Sequence, residues 1–133
     1  MNRKVTAPHE DLTYRIIGAA MAVHRRIGPG QKEVIYQRAL AWELTQAGLS
    51  FNREIEQDIF YKELSDPIGT RRADFVVEGK VLVELKAIVE LEDVHLAQIL
   101  NYLRATDNKT ALLVNFGKSR LEYRRFDNRF ITT

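Results

Sequence analysis

Residues 71–87, RRADFVVEGKVLVELKA, bring two acids and a base into a pattern that can do chemistry. The composition predicts two strands, about 71–77 and 81–87, around Glu78-Gly79-Lys80, with side chains alternating between faces. Phe75 and Val77 share one parity of the first strand, and Val81, Val83 and Leu85 share one parity of the second. All five are apolar, so this face is expected on the core. The other parity holds Arg72, Asp74 and Val76, then Leu82, Glu84 and Lys86, with its charges gathered at the end away from the turn. If the turn is Glu78-Gly79-Lys80, Val77 pairs with Val81 and Asp74 lies opposite Glu84, about 5 Å apart at Cβ. A turn one residue shorter flips the faces and separates the acids. The apolar face therefore demands the same register that joins the carboxylates.

Opposed carboxylates destabilise a sheet unless something neutralises them. A hard divalent cation does so, and Mg²⁺ favours a few carboxylate oxygens plus waters and a substrate phosphate. Lys86 follows Glu84 by two residues on the same predicted face, where its ammonium can position a water or offset negative charge at a reacting phosphorus. The chemistry to expect is metal-assisted hydrolysis of a phosphodiester.

The elements that must hold this hairpin follow from periodicity. Leu12, Ile16, Ala19, Ala20, Val23 and Ile27 recur at helical steps between about Glu10 and Ile27, and Gly28-Pro29-Gly30 stops the helix. A second helix is expected from about Gln31 to Ala47, with Gly48 just past its end. Residues 51–61 favour a strand through Phe51, Ile55, Ile59, Phe60 and Tyr61, and Asp66-Pro67-Ile68-Gly69 reads as a turn. After the hairpin come a helix over about Val94–Ala105 and two short strands, about 110–116 and 121–126. The order α-α-β-β-β-α-β-β predicts a mixed α/β (α+β) fold, with residues 1–133 as a single domain.

Composition narrows the function. The chain has no cysteine, which removes disulfides, thiolate metal sites and thiol catalysis. Its three histidines are too scattered for a zinc cluster. No apolar run reaches the roughly 18 residues of a membrane helix, and no apolar stretch follows the basic start, so a cytoplasmic location is expected. The net charge is only +2. Its distribution is uneven: residues 1–30, with Arg3 and Lys4, and residues 118–133, with Arg129, are both basic around an acidic middle. That arrangement suits a phosphate polymer held over a cation-loaded site.

The pair Arg71-Arg72-Ala73-Asp74 and Glu84-Leu85-Lys86 resembles the motif of the PD-(D/E)XK nuclease superfamily, with Ala73 where the motif has proline. Upstream, Gly30-Gln31-Lys32-Glu33-Val34-Ile35-Tyr36 resembles the Gly-x-x-Glu-x-x-Tyr pattern of the bacterial GxxExxY proteins assigned to that superfamily. Val23–Gly30, Val83–Ala87 and Gln98–Leu103 are similar to it as well, so the likeness spans about residues 12–126. The resemblance implies a restriction-endonuclease-like core, a mixed central sheet flanked by helices. It implies that Asp74 and Glu84 bind Mg²⁺ or Mn²⁺, with Lys86 assisting hydrolysis. Glu33 matches the helix-borne glutamate that completes such sites, and Gln98 and Tyr102 match a Gln-x-x-x-Tyr helix.

On this basis the expected activity is Mg²⁺-dependent cleavage of nucleic acid, DNA before RNA. The expected metal ligands are Asp74, Glu84 and the Leu85 backbone carbonyl, with Glu33 acting through a water. Gln98 and Tyr102, four residues apart on one helix face, would orient Lys86 or contact phosphate, and Tyr36 would buttress Glu33. His24 is expected to cap or pack, His95 to be exposed, and Glu54 to be an accessory at most. Gly28 and Gly30 lack the spacing and following Lys-Ser/Thr of a phosphate loop. The alternative is an inactive module on the same fold that binds nucleic acid or a protein. A homodimer is the expected route to cutting two strands.

Overall fold

The computed structural model describes residues 9–106 and 110–127. Arg3, Lys4 and Arg129, part of the basic ends, lie outside them. The elements are α1 (Glu10–Ile27), α2 (Glu33–Gln46), β1 (Phe51–Ile59), β2 (Gly69–Val77), β3 (Val81–Lys86), α3 (Asp93–Arg104), β4 (Thr110–Asn115) and β5 (Glu122–Asp127). This is the order expected from periodicity. Boundaries shift by one or two residues. α2 begins at Glu33 rather than Gln31, and β1 ends at Ile59 because 60–68 form an exposed loop. Gly69, assigned to a turn from sequence, already pairs with Ile59 in the sheet.

One five-stranded sheet runs β1-β2-β3-β4-β5. Three of its pairings are antiparallel, and β3 with β4 is parallel. Parallel neighbours require a crossover connection, which α3 supplies. On one side, α1 and α2 bury Ile16, Ala20, Tyr36, Leu40 and Leu44 against Phe75, Val77, Val81, Val83 and Leu85. All five strand residues assigned to the core from sequence are there. On the other side, Ile99, Tyr102 and Leu103 of α3 cover Ala73, Leu82, Ala111 and Leu113.

The hairpin turn is Glu78-Gly79-Lys80, and the register Val77↔Val81, Val76↔Leu82, Phe75↔Val83 is the expected one. Glu78 and Gly79 both take positive φ, 55° and 64°, a conformation glycine adopts at no steric cost. Glu78 is held there by Ser50, whose N–H and Oγ donate to its carboxylate (2.6 and 2.7 Å) and whose carbonyl accepts its N–H (2.8 Å). The turn is thereby pinned to the start of β1, and the register is fixed from outside the hairpin.

Alternation does not persist along β2. Phe75 and Val77 face α1 and α2, yet Ala73, of the same parity, packs on the α3 side. The break falls at Asp74, the single position of β2 without a ladder partner on β1, where Glu54 has φ 52°. The left-handed Glu54 opens the ladder locally and leaves Asp74 unpaired opposite it, and the facing of β2 changes across this gap. The expectation that Arg72, Asp74 and Val76 share one flat face is therefore corrected. The strand turns over at its acid, and both Arg71 and Arg72 end up lining the cleft beside α3.

Candidate active site

Beyond Phe75↔Val83 the β2–β3 ladder stops, and the next pair in register is Asp74 and Glu84. Here side chains take over the work of the backbone. The Asp74 N–H donates to Glu84 Oε1 (3.0 Å), and the Leu85 N–H donates to Asp74 Oδ2 (2.7 Å). Each carboxylate satisfies a backbone donor on the opposite strand, so the strands stay together without closing the ladder.

Asp74 has a further partner that sequence reasoning missed. Gln37 of α2, buried among apolar neighbours, donates from Nε2 to Asp74 Oδ1 (3.0 Å) and accepts from the Arg53 guanidinium at Oε1 (3.0 Å). It fixes one oxygen of the acid from the helix side. The available signal was its spacing: Gln37 is four residues after Glu33, one turn along the same helix face.

Electrostatics join four side chains into one cluster. Burial pushes the Glu84 carboxyl up to about 8, helped by the negative charge of Asp74 and opposed by the Asp74 N–H and Lys86. Asp74 is raised by burial, against the pull of the Leu85 N–H, Gln37, Lys86 and Arg72. Glu33 is raised too, by burial and then by Asp74, with Lys86 opposing. Three acids thus crowd one site with Lys86 as the shared counter-charge. Glu33, the first residue of α2, which the resemblance placed at the site, is electrostatically coupled to the hairpin acids.

Lys86 ends β3 in register with Asn115, another residue the sequence did not flag. Fully buried, Asn115 accepts the Ile88 N–H and donates to the Ile88 carbonyl (3.0 Å each), clamping the chain just after Lys86. Gly117 completes this clamp. A Cβ there would lie 2.1 Å from the Ile88 carbonyl oxygen, so no larger residue fits.

Other expected residues separate into those in the site and those supporting it. Gln98 is exposed and lines a cleft of about 440 Å³ together with Glu84, Lys86, Arg71, Arg72 and Asn101. Tyr102 lines it too but is almost fully buried, and its hydroxyl donates to the Ile55 carbonyl (3.3 Å), tying α3 to β1. Burial and the nearby Glu84 charge raise the Tyr102 hydroxyl. Tyr36 stacks on Phe116 (4.6 Å); its hydroxyl donates to the Gly28 carbonyl (2.6 Å) and accepts the Gln31 N–H (3.1 Å). It braces the loop that launches α2. The Leu85 side chain sits in the core while its backbone runs through the site. His24 donates from Nε2 to the Lys118 carbonyl (2.8 Å) and packs by Phe116. His95, expected to be exposed, is half-buried because its Nδ1 accepts the Glu92 N–H (2.9 Å) at the start of α3. Glu54 is exposed on β1 and contributes its backbone bend rather than a place in the cleft lining.

A family model described as PD-(D/E)XK nuclease superfamily matches residues 10–126. The sheet order, the crossover and the hairpin acids define that class of α+β domain, and the chain belongs to the PD-(D/E)XK nuclease superfamily. Its members generally act on nucleic acid with divalent metal ions. Comparison with curated proteins and with solved structures gives no match. No helix among the described residues is long and apolar enough to cross a membrane.

Proposed function

We propose that this chain is a Mg²⁺- or Mn²⁺-dependent nuclease that hydrolyses phosphodiester bonds in DNA, with Asp74, Glu84 and Lys86 at its centre. One observation carries this reading: the hairpin ladder gives way where Asp74 and Glu84 meet, and their charges oppose each other with Lys86 beside them.

The residues fit a hard divalent cation. The donor set is oxygen only, and a cation offsets the burial that raises all three acids and the repulsion that adds to it at Glu33 and Glu84. Among the described residues no three His, Asp or Glu side chains stand at ligating distance. Mg²⁺ does not need three, since it is commonly held by one or two carboxylates with waters and substrate phosphate completing the shell. Asp74, Glu84 and the Leu85 carbonyl would hold it, and Glu33 would reach it through a water. When bound, such an ion supplies Lewis acidity at the phosphate and lowers the pKa of a water.

The chain's own residues do the rest. Gln37 and the Leu85 N–H hold the Asp74 carboxylate in one orientation. Lys86, anchored through the Asn115 clamp, places an ammonium where negative charge develops on the phosphoryl oxygens. Glu33 can take a proton from the attacking water, its raised affinity for protons suiting it to that role. Gln98, at the mouth, can donate to a substrate phosphate.

The test is cleavage of single-stranded, duplex and branched DNA by purified protein in Mg²⁺ or Mn²⁺, beside Lys86→Ala and Asp74→Ala. Wild-type cleavage that both substitutions abolish is the expected result. Equal cleavage by all three proteins removes the proposal. The binding-module reading is favoured instead if calorimetry finds no Mn²⁺ uptake while DNA binding is retained.

A further inference from the structure

The β1–β2 hairpin reaches beyond the acids and ends in the loop 60–68. Four large apolar side chains there are open to solvent: Phe60 58%, Tyr61 52%, Leu64 54% and Ile68 60% exposed. Lys62 lies over the Tyr61 ring, its ammonium 5.3 Å from the centroid. The loop end of the same hairpin lines the cleft, through Ile59 on one strand and Arg71 and Arg72 on the other.

Arg71 is the unusual member. Its guanidinium lies 5.7 Å over the Tyr102 ring, and its Nε and the Oε1 of Gln57, its pair across the ladder, are both buried without a hydrogen-bond partner among the described residues. Arg71 is half-buried and lines the cleft, and a guanidinium facing a cleft is satisfied by an anion. Arg71 and Glu84 line the same cleft, and Tyr102 between them feels both charges.

We propose that the β1–β2 hairpin is a strand-holding arm that makes the substrate a single-stranded or unpaired stretch of nucleic acid. Arg71 takes a backbone phosphate next to the scissile one, and Phe60 and Tyr61 stack on the neighbouring bases. This rests on the nuclease reading of the cleft and deepens it. Stacking requires a free base face, which an intact duplex does not offer to a side chain at its flank. The exposed carboxylates of the edge strand, Glu54, Glu56 and Asp58, repel a second phosphate backbone lying alongside. The strand is thereby confined to the Arg71 side. Phosphate contact alone would not choose between strand and duplex; the aromatic tip makes that choice.

Binding in a chelator, where nothing is cut, tests the arm apart from the chemistry. Fluorescence anisotropy would compare the full chain on labelled oligodeoxythymidylate and on a duplex of equal length. The single strand is expected to bind at least about tenfold tighter, and Phe60→Ala or Tyr61→Ala to cost it about tenfold with the duplex unchanged. Arg71→Ala is expected to flatten the salt dependence of strand binding by about 0.7 in log–log slope, and Arg71→Lys to restore it. A merely structural Arg71 would move neither slope. Equal affinity for strand and duplex overturns the proposal. So does unchanged binding by Arg71→Ala, the result expected if the Arg71 Nε and Gln57 Oε1 serve only each other across the ladder. Wild-type cleavage indifferent to all three alanine substitutions leaves the hydrolytic site standing and removes the arm. Strand binding with this pattern but no cleavage in Mn²⁺ keeps the arm and removes the hydrolytic reading.

Discussion

The β2–β3 hairpin is two structures laid end to end. Near the turn, Phe75, Val77, Val81 and Val83 alternate and pair as a sheet should, and all are buried. A few residues away, at Asp74, Glu84 and Lys86, the ladder is gone and side chains bond to the opposite backbone. The turn end satisfies hydrophobic burial and hydrogen bonding together. The open end holds three raised acids in one place, against both charge repulsion and desolvation. Burial stabilises the first region, the proposed chemistry falls to the second, and the turn end keeps the open end in register.

The strongest test of this division exchanges one residue at each end. Phe75→Ala removes a fully buried ring and is expected to destabilise the fold by about 3–5 kcal/mol, read by urea unfolding. Asp74→Asn is expected to leave the unfolding midpoint unchanged or higher, because it relieves a buried negative charge, while lowering cleavage on the order of 10³-fold. If Asp74→Asn unfolds the protein as Phe75→Ala does, the two ends are one cooperative unit and the division fails.

The next contrast is in pH. Glu84 is held at about 8 when folded and reverts to its ordinary 4.5 when unfolded. The folded state then binds the extra proton between those values. Metal-free stability is expected to be full below about pH 4.5 and to fall steadily as pH rises toward about 8. Asp74 and Glu33 are shifted in the same direction and add to the slope. Glu84→Gln should flatten the curve of melting temperature against pH, and saturating Mg²⁺ should oppose the fall by favouring the ionised acids. A melting temperature that rises over this window would mean the acids are not in conflict.

Much of this was legible in the chain because two signals agreed. The apolar parity of the hairpin and the spacing of Asp74 and Glu84 demanded the same turn, and the eight elements followed from periodicity. The illegible part depends on how elements dock. Gln37 looks like any helix polar residue until α2 lies against the hairpin. Glu54 carries no glycine to announce its positive φ, so the turnover of β2 at Asp74, and with it the place of Arg71, could not be read from alternation. Tyr36 stood out as a motif residue, yet its hydroxyl serves the Gly28 loop rather than the acids. The resemblance singled out residues without telling what each of them touches.

Gln37 gives the finest test, since it joins the two regions. It lies in the apolar layer under α2 and acts on the acid at the open end. Gln37→Leu keeps the burial and removes both hydrogen bonds. The layer should tolerate it, because an apolar side chain replaces a polar one, Arg53 is exposed to solvent, and Asp74 keeps the Leu85 N–H at its other oxygen. The site should not, because Asp74 Oδ1 loses the donor that orients it. Substituting groups that orient metal ligands typically costs about 10–100-fold in metal affinity, so Mn²⁺ binding by calorimetry should weaken within that range. Melting of the metal-free protein should move little. A variant that loses stability but binds Mn²⁺ normally would make Gln37 part of the core, and the boundary between the two ends of the hairpin would then have to be drawn closer to Asp74 itself.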